Sequence, residues 1–127
     1  TNSTQALALD TSQNATFASN VIVKTALLSN QENTDIDIGT EVVASVVKTS
    51  YDAAFFDFVV KKGTNIRSGT VYACHDGTNV EFTETSTQDL GDTSDLVFNV
   101  NILVSNMRLL ATAASDNWTV KTLIRAL

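Results

Sequence analysis

Proline is absent from the 127 residues, and cysteine and histidine occur once each. A lone Cys74 forms no internal disulfide and supports no cysteine-based metal site. Its position inside an expected strand makes it a small buried thiol. His75 has no second histidine to share a transition metal with, and a general base would need partners converging on it. It is read as a turn residue. Basic residues are also few: 8 Lys and Arg stand against 14 Asp and Glu, for a formal charge of −6. They are scattered, with only Lys61 and Lys62 adjacent, so the clustered footprint that binds nucleic acid is missing. No apolar run approaches the ~20 residues that cross a bilayer as a helix, and no membrane insertion is expected. There is no Gly-x-Ser-x-Gly elbow and no phosphate-binding glycine loop. No catalytic residue, metal or cofactor is expected. No signal-peptide pattern is visible, and a chain opening on Thr1 reads as a fragment or a processed product.

What is present is a β vocabulary. Thr, Asn, Ser, Asp and Val are abundant, while the good helix formers Glu, Lys and Gln are scarce. The length indicates one domain, and 43% hydrophobic residues suffice for a core.

The clearest stretch is Tyr51 to Thr85, read as strand, turn, strand, turn, strand. In its first strand Ala54, Phe56, Phe58 and Val60 alternate onto a core face; Phe55, Asp57, Val59 and Lys61 fall opposite. Gly63 supplies a left-handed residue for the first turn. Asp76-Gly77 predicts a two-residue type I′ hairpin. Val42, Val43, Val46 and Val47 predict a largely buried strand before this stretch. After it, Thr85 to Asp95 reads as a polar loop. Leu96 to Val104 reads as a strand with Phe98, Val100, Ile102 and Val104 inward, and Asn106 is expected to turn left-handed after it. Met107 to Thr112 returns, and Trp118 to Arg125 places Trp118, Val120, Thr122 and Ile124 on one face. Short strands at regular spacing indicate an antiparallel β-sandwich, jelly-roll-like, of about seven strands over residues 40–127.

Residues 1–39 read differently. Short apolar pieces such as Ala6 to Leu9, Ala15 to Ala18, Val21 to Val23, Ala26 to Leu28 and Ile36 to Ile38 alternate with polar ones. Either several copies wind together here, or a loose arm packs on the domain.

Candidate chemistry is sparse. The oxygen-rich run Gln88 to Asp95 does not match an EF-hand, and is read as a solvated loop. Three glycosylation sequons begin at Asn2, Asn14 and Asn117, as chance allows in an Asn- and Thr-rich chain. Tyr51, Tyr72 and Trp118 are candidates for stacking on sugar rings; Trp118 equally suits capping the core. Phe55 and Val59, on the face away from the core, are candidates for a subunit interface.

Several of these segments carry a resemblance. Ser50 to Val60, Val71-Tyr72-Ala73-Cys74-His75-Asp76-Gly77-Thr78, Phe82-Thr83-Glu84 and Met107-Arg108-Leu109-Leu110-Ala111-Thr112 together resemble a β domain of structural proteins in tailed bacteriophages, notably marine ones. Leu9-Asp10-Thr11-Ser12-Gln13-Asn14-Ala15-Thr16-Phe17-Ala18-Ser19-Asn20-Val21 is similar to segments that repeat along tail-fibre shafts, with Ser19 where glycine is usual. The resemblance implies a non-enzymatic virion protein, extracellular, a homotrimer in a tail fibre or related appendage. Its partners would be other virion proteins and a host-surface glycan or protein. Phe17 and Val21 join Phe55 and Val59 as expected interface residues. A carbohydrate-binding module of a secreted protein is the alternative; it requires Trp118, Tyr51 and Tyr72 in line on one sheet face, and a monomer. A glycan hydrolase would require two carboxylates facing across a groove.

Overall fold

The alternation over residues 53–62 is realised as a strand in which Ala54, Phe56, Phe58 and Val60 are buried and the intervening side chains look away. The computed structural model describes residues 7–127, and all regular structure among them is β. The strands are β1 (Leu7–Leu9), β2 (Ala15–Phe17), β3 (Val21–Val23), β4 (Ala26–Ile36), β5 (Gly39–Val47), β6 (Ala53–Lys62), β7 (Asn65–His75), β8 (Val80–Ser86), β9 (Leu96–Leu103), β10 (Asn106–Ala113) and β11 (Trp118–Ala126). A six-stranded sheet in the order β3-β4-β11-β6-β7-β8 faces a three-stranded sheet in the order β5-β10-β9, and β1-β2 form a separate ribbon. Every pairing is antiparallel, and the two larger sheets pack as a sandwich. Phe56, Val60, Val71, Val120 and Ile124 from the large sheet and Val100, Met107 and Leu109 from the small one share a single core. The likeness to a jelly roll stops at the layers. Tight connections keep β6, β7 and β8 side by side as a meander in one sheet, so consecutive strands do not alternate between sheets.

Four expectations are corrected. The first is the boundary at residue 39. β4 lies within the large sheet, paired with β11 along its length, and β3 pairs with β4 at that sheet's edge, so the sandwich begins at Val21 and the arm is confined to earlier residues. Of the expected segment Ala6 to Leu9, Ala6 lies outside the described residues, as does the Asn2 sequon. Ser29, Gln31 and Asn33 occupy core-side positions of β4, where apolar residues are usual. Buried polar groups need partners, and here they have them. The Gln31 amide makes two bonds to the backbone of Ser45: Ser45 N–H donates to Oε1 and Nε2–H donates to the Ser45 carbonyl, both at 2.9 Å. Asn33 Nδ2 donates to the Val42 carbonyl at 3.2 Å. Two side-chain amides thus stitch the large sheet to the edge of β5.

The second concerns β5. Val43, Ala44 and Val46 are buried, but Val42 and Val47 are exposed. Leu109 pairs with Ala44 and Leu110 with Val42, leaving Val43 as a β-bulge. The extra residue lets two successive side chains turn inward.

Third, Asp76-Gly77 is not a two-residue turn. His75 pairs with Val80, so the loop is Asp76–Asn79, and Gly77 takes φ +98°. The Asp76 carboxylate accepts the backbone N–H of Asn79 at 2.7 Å and of Thr78 at 2.9 Å. It also accepts Asn79 Nδ2–H at 3.0 Å. This side-chain turn competes with the tighter backbone turn and wins. These bonds, Asn79's foremost, hold the Asp76 carboxyl at a pKa of about 2, below the ordinary 3.8. The Gly63 expectation holds: Gly63-Thr64 is a two-residue loop with Gly63 at φ +60°.

The last is Val104. It does not continue the inward row of β9; the strand ends at Leu103, which pairs with Asn106. Val104 is 82% exposed, and it, not Asn106, takes the positive φ, +55°. A β-branched residue in this region is strained, and the first position of such a two-residue loop is ordinarily glycine. Val104→Gly is therefore expected to raise the unfolding free energy by about 1 kcal/mol, the relieved strain exceeding the extra freedom of the unfolded chain. Urea melts of the two proteins check this; an unchanged or lower midpoint contradicts it.

Candidate functional site

The register of the large sheet decides which outward side chains meet. Arg125 of β11 stands opposite Phe55 of β6, and Phe55 opposite Tyr72 of β7. The same row extends through Leu28 on β4 to Val21 on β3. Two residues further along β6, on the same face, is Asp57, and then Val59. Val21, Phe55, Val59 and Tyr72 therefore share the outer face of the six-stranded sheet. Exposed Leu28 and Leu123 lie among them.

This row is tied together. The Phe55 and Tyr72 rings stack with centroids 6.2 Å apart, and the Arg125 guanidinium lies 4.8 Å over Phe55. Arg125 Nε and Nη2 donate to Asp57 at 3.1 and 3.2 Å, and Thr70 Oγ1 donates to the same carboxylate at 2.7 Å. An exposed pair of this kind contributes at most about 1 kcal/mol. Its effect is to fix the rings and shield part of the apolar row. Two open grooves flank it. One, of about 340 Å³, runs past Asn30, Val59, Ser68, Lys121 and Leu123; the other, of about 280 Å³, runs past Ala53, Phe55, Tyr72, Cys74 and Glu81. Cys74 is exposed, contrary to expectation, because Val71 and Ala73 take the inward positions of β7 and alternation turns Cys74 out.

Phe17 is not on this face. It lies on the β1-β2 ribbon, 51% exposed. Nor do the three stacking candidates line up. Trp118 is 2% exposed and caps the core, its Nε1–H donating to Ser115 Oγ at 3.0 Å with Lys62 Nζ 5.5 Å above the ring. Tyr51 is partly buried against the core. Only Tyr72 stands on the outer face.

His75 is bound at both ring nitrogens. Gly77 N–H donates to Nδ1 at 3.0 Å, which places the ring proton on Nε2, 2.6 Å from the Tyr51 carbonyl. With Lys48 Nζ donating to the Gly77 carbonyl at 2.9 Å, the histidine fastens the 76–79 loop to the β5–β6 crossing. Both ring nitrogens are thus occupied by backbone partners.

One cluster escaped the sequence reading. Arg67 is 8% exposed, at a core-side position of β7, with its guanidinium within 5.7 Å of the Phe58 and Phe98 ring centroids. Its Nε and Nη2 donate to Glu84 at 3.1 and 3.3 Å, and Nη1 donates to Thr93 Oγ1 at 2.8 Å. Thr93 in turn donates from N–H and Oγ1 to Asp89, at 2.8 and 2.7 Å. These bonds from Thr93, and the Arg67 charge after them, hold the Asp89 carboxyl below its ordinary value. The expected solvated loop is thus anchored across one end of the sandwich. Among the described residues, no three of His, Cys, Asp and Glu converge to hold a metal ion.

A scan against protein families matches no family model, and no curated protein or solved structure is significantly similar to the chain.

Proposed function

We propose that the chain is a structural, non-enzymatic module of a bacteriophage virion, in a tail fibre or related appendage. It works as a homotrimer beside other virion proteins, outside the cell, and presents its sandwich to a host-surface glycan or protein. The observation that carries this reading is the order of the parts. The sandwich is preceded by the three-residue strands β1 and β2, and its own first strand, β3, is as short; on these Leu9, Phe17, Ile22 and Val23 are 51–66% exposed. Strands this short bury almost nothing by themselves, and other chains winding alongside supply the missing cover. The resemblance of Leu9 to Val21 to shaft repeats supports the same reading. A carbohydrate-binding module is less well supported, because Trp118 and Tyr51 face the core. Light scattering on a size-exclusion column tests the proposal. The reading predicts three times the chain mass of 13.6 kDa, and a clean monomer contradicts it.

A further inference from the structure

Of the five glycines in the chain, only Gly77 follows an aspartate, and none follows an asparagine. In an Asp-Gly dipeptide the glycine nitrogen can attack the aspartyl carboxyl, because glycine has no Cβ to hinder the approach. A bond forms between the Gly77 nitrogen and Asp76 Cγ. The protonated carboxyl loses its hydroxyl, the nitrogen loses its proton, and the two leave as water from a closed succinimide ring. Water then adds back. When it opens the ring at the Asp76 main-chain carbonyl, the chain runs on through the side chain as isoaspartate. The 76–79 loop needs both residues. Gly77 sits at φ +98°, where side chains are strained, and the Asp76 carboxylate closes the turn. Asp76 is also exposed, so water reaches it.

The loop nevertheless occupies both reacting groups. Asp76 Oδ1 accepts the N–H groups of Thr78 and Asn79, and Oδ2 accepts Asn79 Nδ2–H. Three donors favour the ionised carboxylate, which has no hydroxyl to lose. The Gly77 N–H is committed to His75 Nδ1 at 3.0 Å. The imidazole cannot follow a moving Gly77, because Nε2 is held by the Tyr51 carbonyl and the His75 backbone N–H by the Asp52 carbonyl. Lys48 Nζ holds the Gly77 carbonyl from the other side. A succinimide has no Gly77 N–H and keeps only one of the two carboxyl oxygens. Closing the ring therefore breaks the His75 bond and at least one bond to the carboxylate. We infer that Asp76-Gly77 is a latent isoaspartate site, which Asn79 and His75 hold unreactive. Isomerisation there would add a backbone carbon between His75 and Val80 and disturb the β7-β8 register at its loop end.

The test ages the 127-residue chain at neutral pH and body temperature. Enzymatic methylation counts isoaspartate, and peptide mass spectrometry locates it. The same chain unfolded in urea gives the unrestrained rate. The folded parent is expected to isomerise at Asp76 about tenfold more slowly than the unfolded chain, since bonded groups must be freed before they react. Asn79→Ala and His75→Ala are each expected to recover about threefold of that rate while keeping the far-UV circular dichroism of the sandwich. A gain in one variant alone supports the inference for that residue. A folded parent that isomerises at the unfolded rate overturns the inference, and this comparison decides even where a variant loses the sandwich spectrum. Folded variants that both keep the parent rate overturn it too. So does a slower His75→Ala protein, which would make Nδ1 the base that takes the Gly77 proton.

Discussion

Arg67→Met is expected to lower the unfolding free energy by about 3 kcal/mol, the low end of what removing one partner of a buried ion pair costs. The low end applies because the Glu84 side chain keeps 26% of its exposure while Arg67 keeps 9%. Methionine fills much of the space beside Phe58 and Phe98, so the loss is electrostatic: Glu84 loses its counter-ion, and Thr93 loses the donor that orients it towards Asp89. Arg67→Lys recovers little, since one ammonium cannot span a two-point contact with Glu84 and also reach Thr93. Adding Glu84→Leu to Arg67→Met recovers most of the loss, because an apolar pair removes the stranded charge. Urea denaturation of the three variants checks the series. An Arg67→Met protein within about 0.5 kcal/mol of the parent, the range of an ordinary surface change, contradicts the account.

Trp118→Ala is expected to cost about 3–5 kcal/mol, the range for emptying a large aromatic site in a core. The ring is 2% exposed, packs in the cluster with Val60 and Val120, and has its indole N–H satisfied by Ser115. Trp118→Phe should cost about 1–2 kcal/mol, combining some lost volume with the loss of the indole bond to Ser115, whose hydroxyl keeps Lys62 Nζ at 3.3 Å. Because Trp118 is the single tryptophan, its fluorescence reports the site directly. Blue-shifted emission resistant to quenchers fits a buried ring, whereas water-exposed emission with an unperturbed Trp118→Ala melt would return Trp118 to the surface.

Some of this architecture can be read from residue order and some cannot. β6 and β11 alternate cleanly, so Ala54, Phe56, Phe58, Val60, Trp118, Val120, Thr122 and Ile124 announce their inward faces. β4 does not, because its core-side Ser29, Gln31 and Asn33 mimic a loop, and the β5 backbone that satisfies the two amides, though only 14 and 9 residues on, lies in the opposite sheet. Val104 continues an inward parity that the hairpin cuts short. Arg67 could have been found: it shares the inward parity of Val71 and Ala73, and a buried guanidinium needs an acid such as Glu84 nearby. The outer face was half visible. Phe55 and Val59 follow from alternation within one strand. The arrival of Val21 in the same row depends on three successive pairings, β3 with β4, β4 with β11 and β11 with β6, the last two of which no local pattern encodes.

The central claim is that the N-terminal ribbon is completed by other copies of the chain. Hydrogen exchange of the 127-residue chain tests it most directly. The backbone N–H groups of Asp10 and Gln13 are bonded within the ribbon turn, to Asn14 and to Asp10 respectively, both at 3.0 Å. A lone two-stranded ribbon opens at almost no free-energy cost and leaves such amides unprotected. The account predicts that in the parent these amides are protected to a degree approaching those of β6, and that Phe17→Asp abolishes their protection while leaving β6 unchanged. Exchange of the Asp10 and Gln13 amides at unprotected rates in the parent would contradict it.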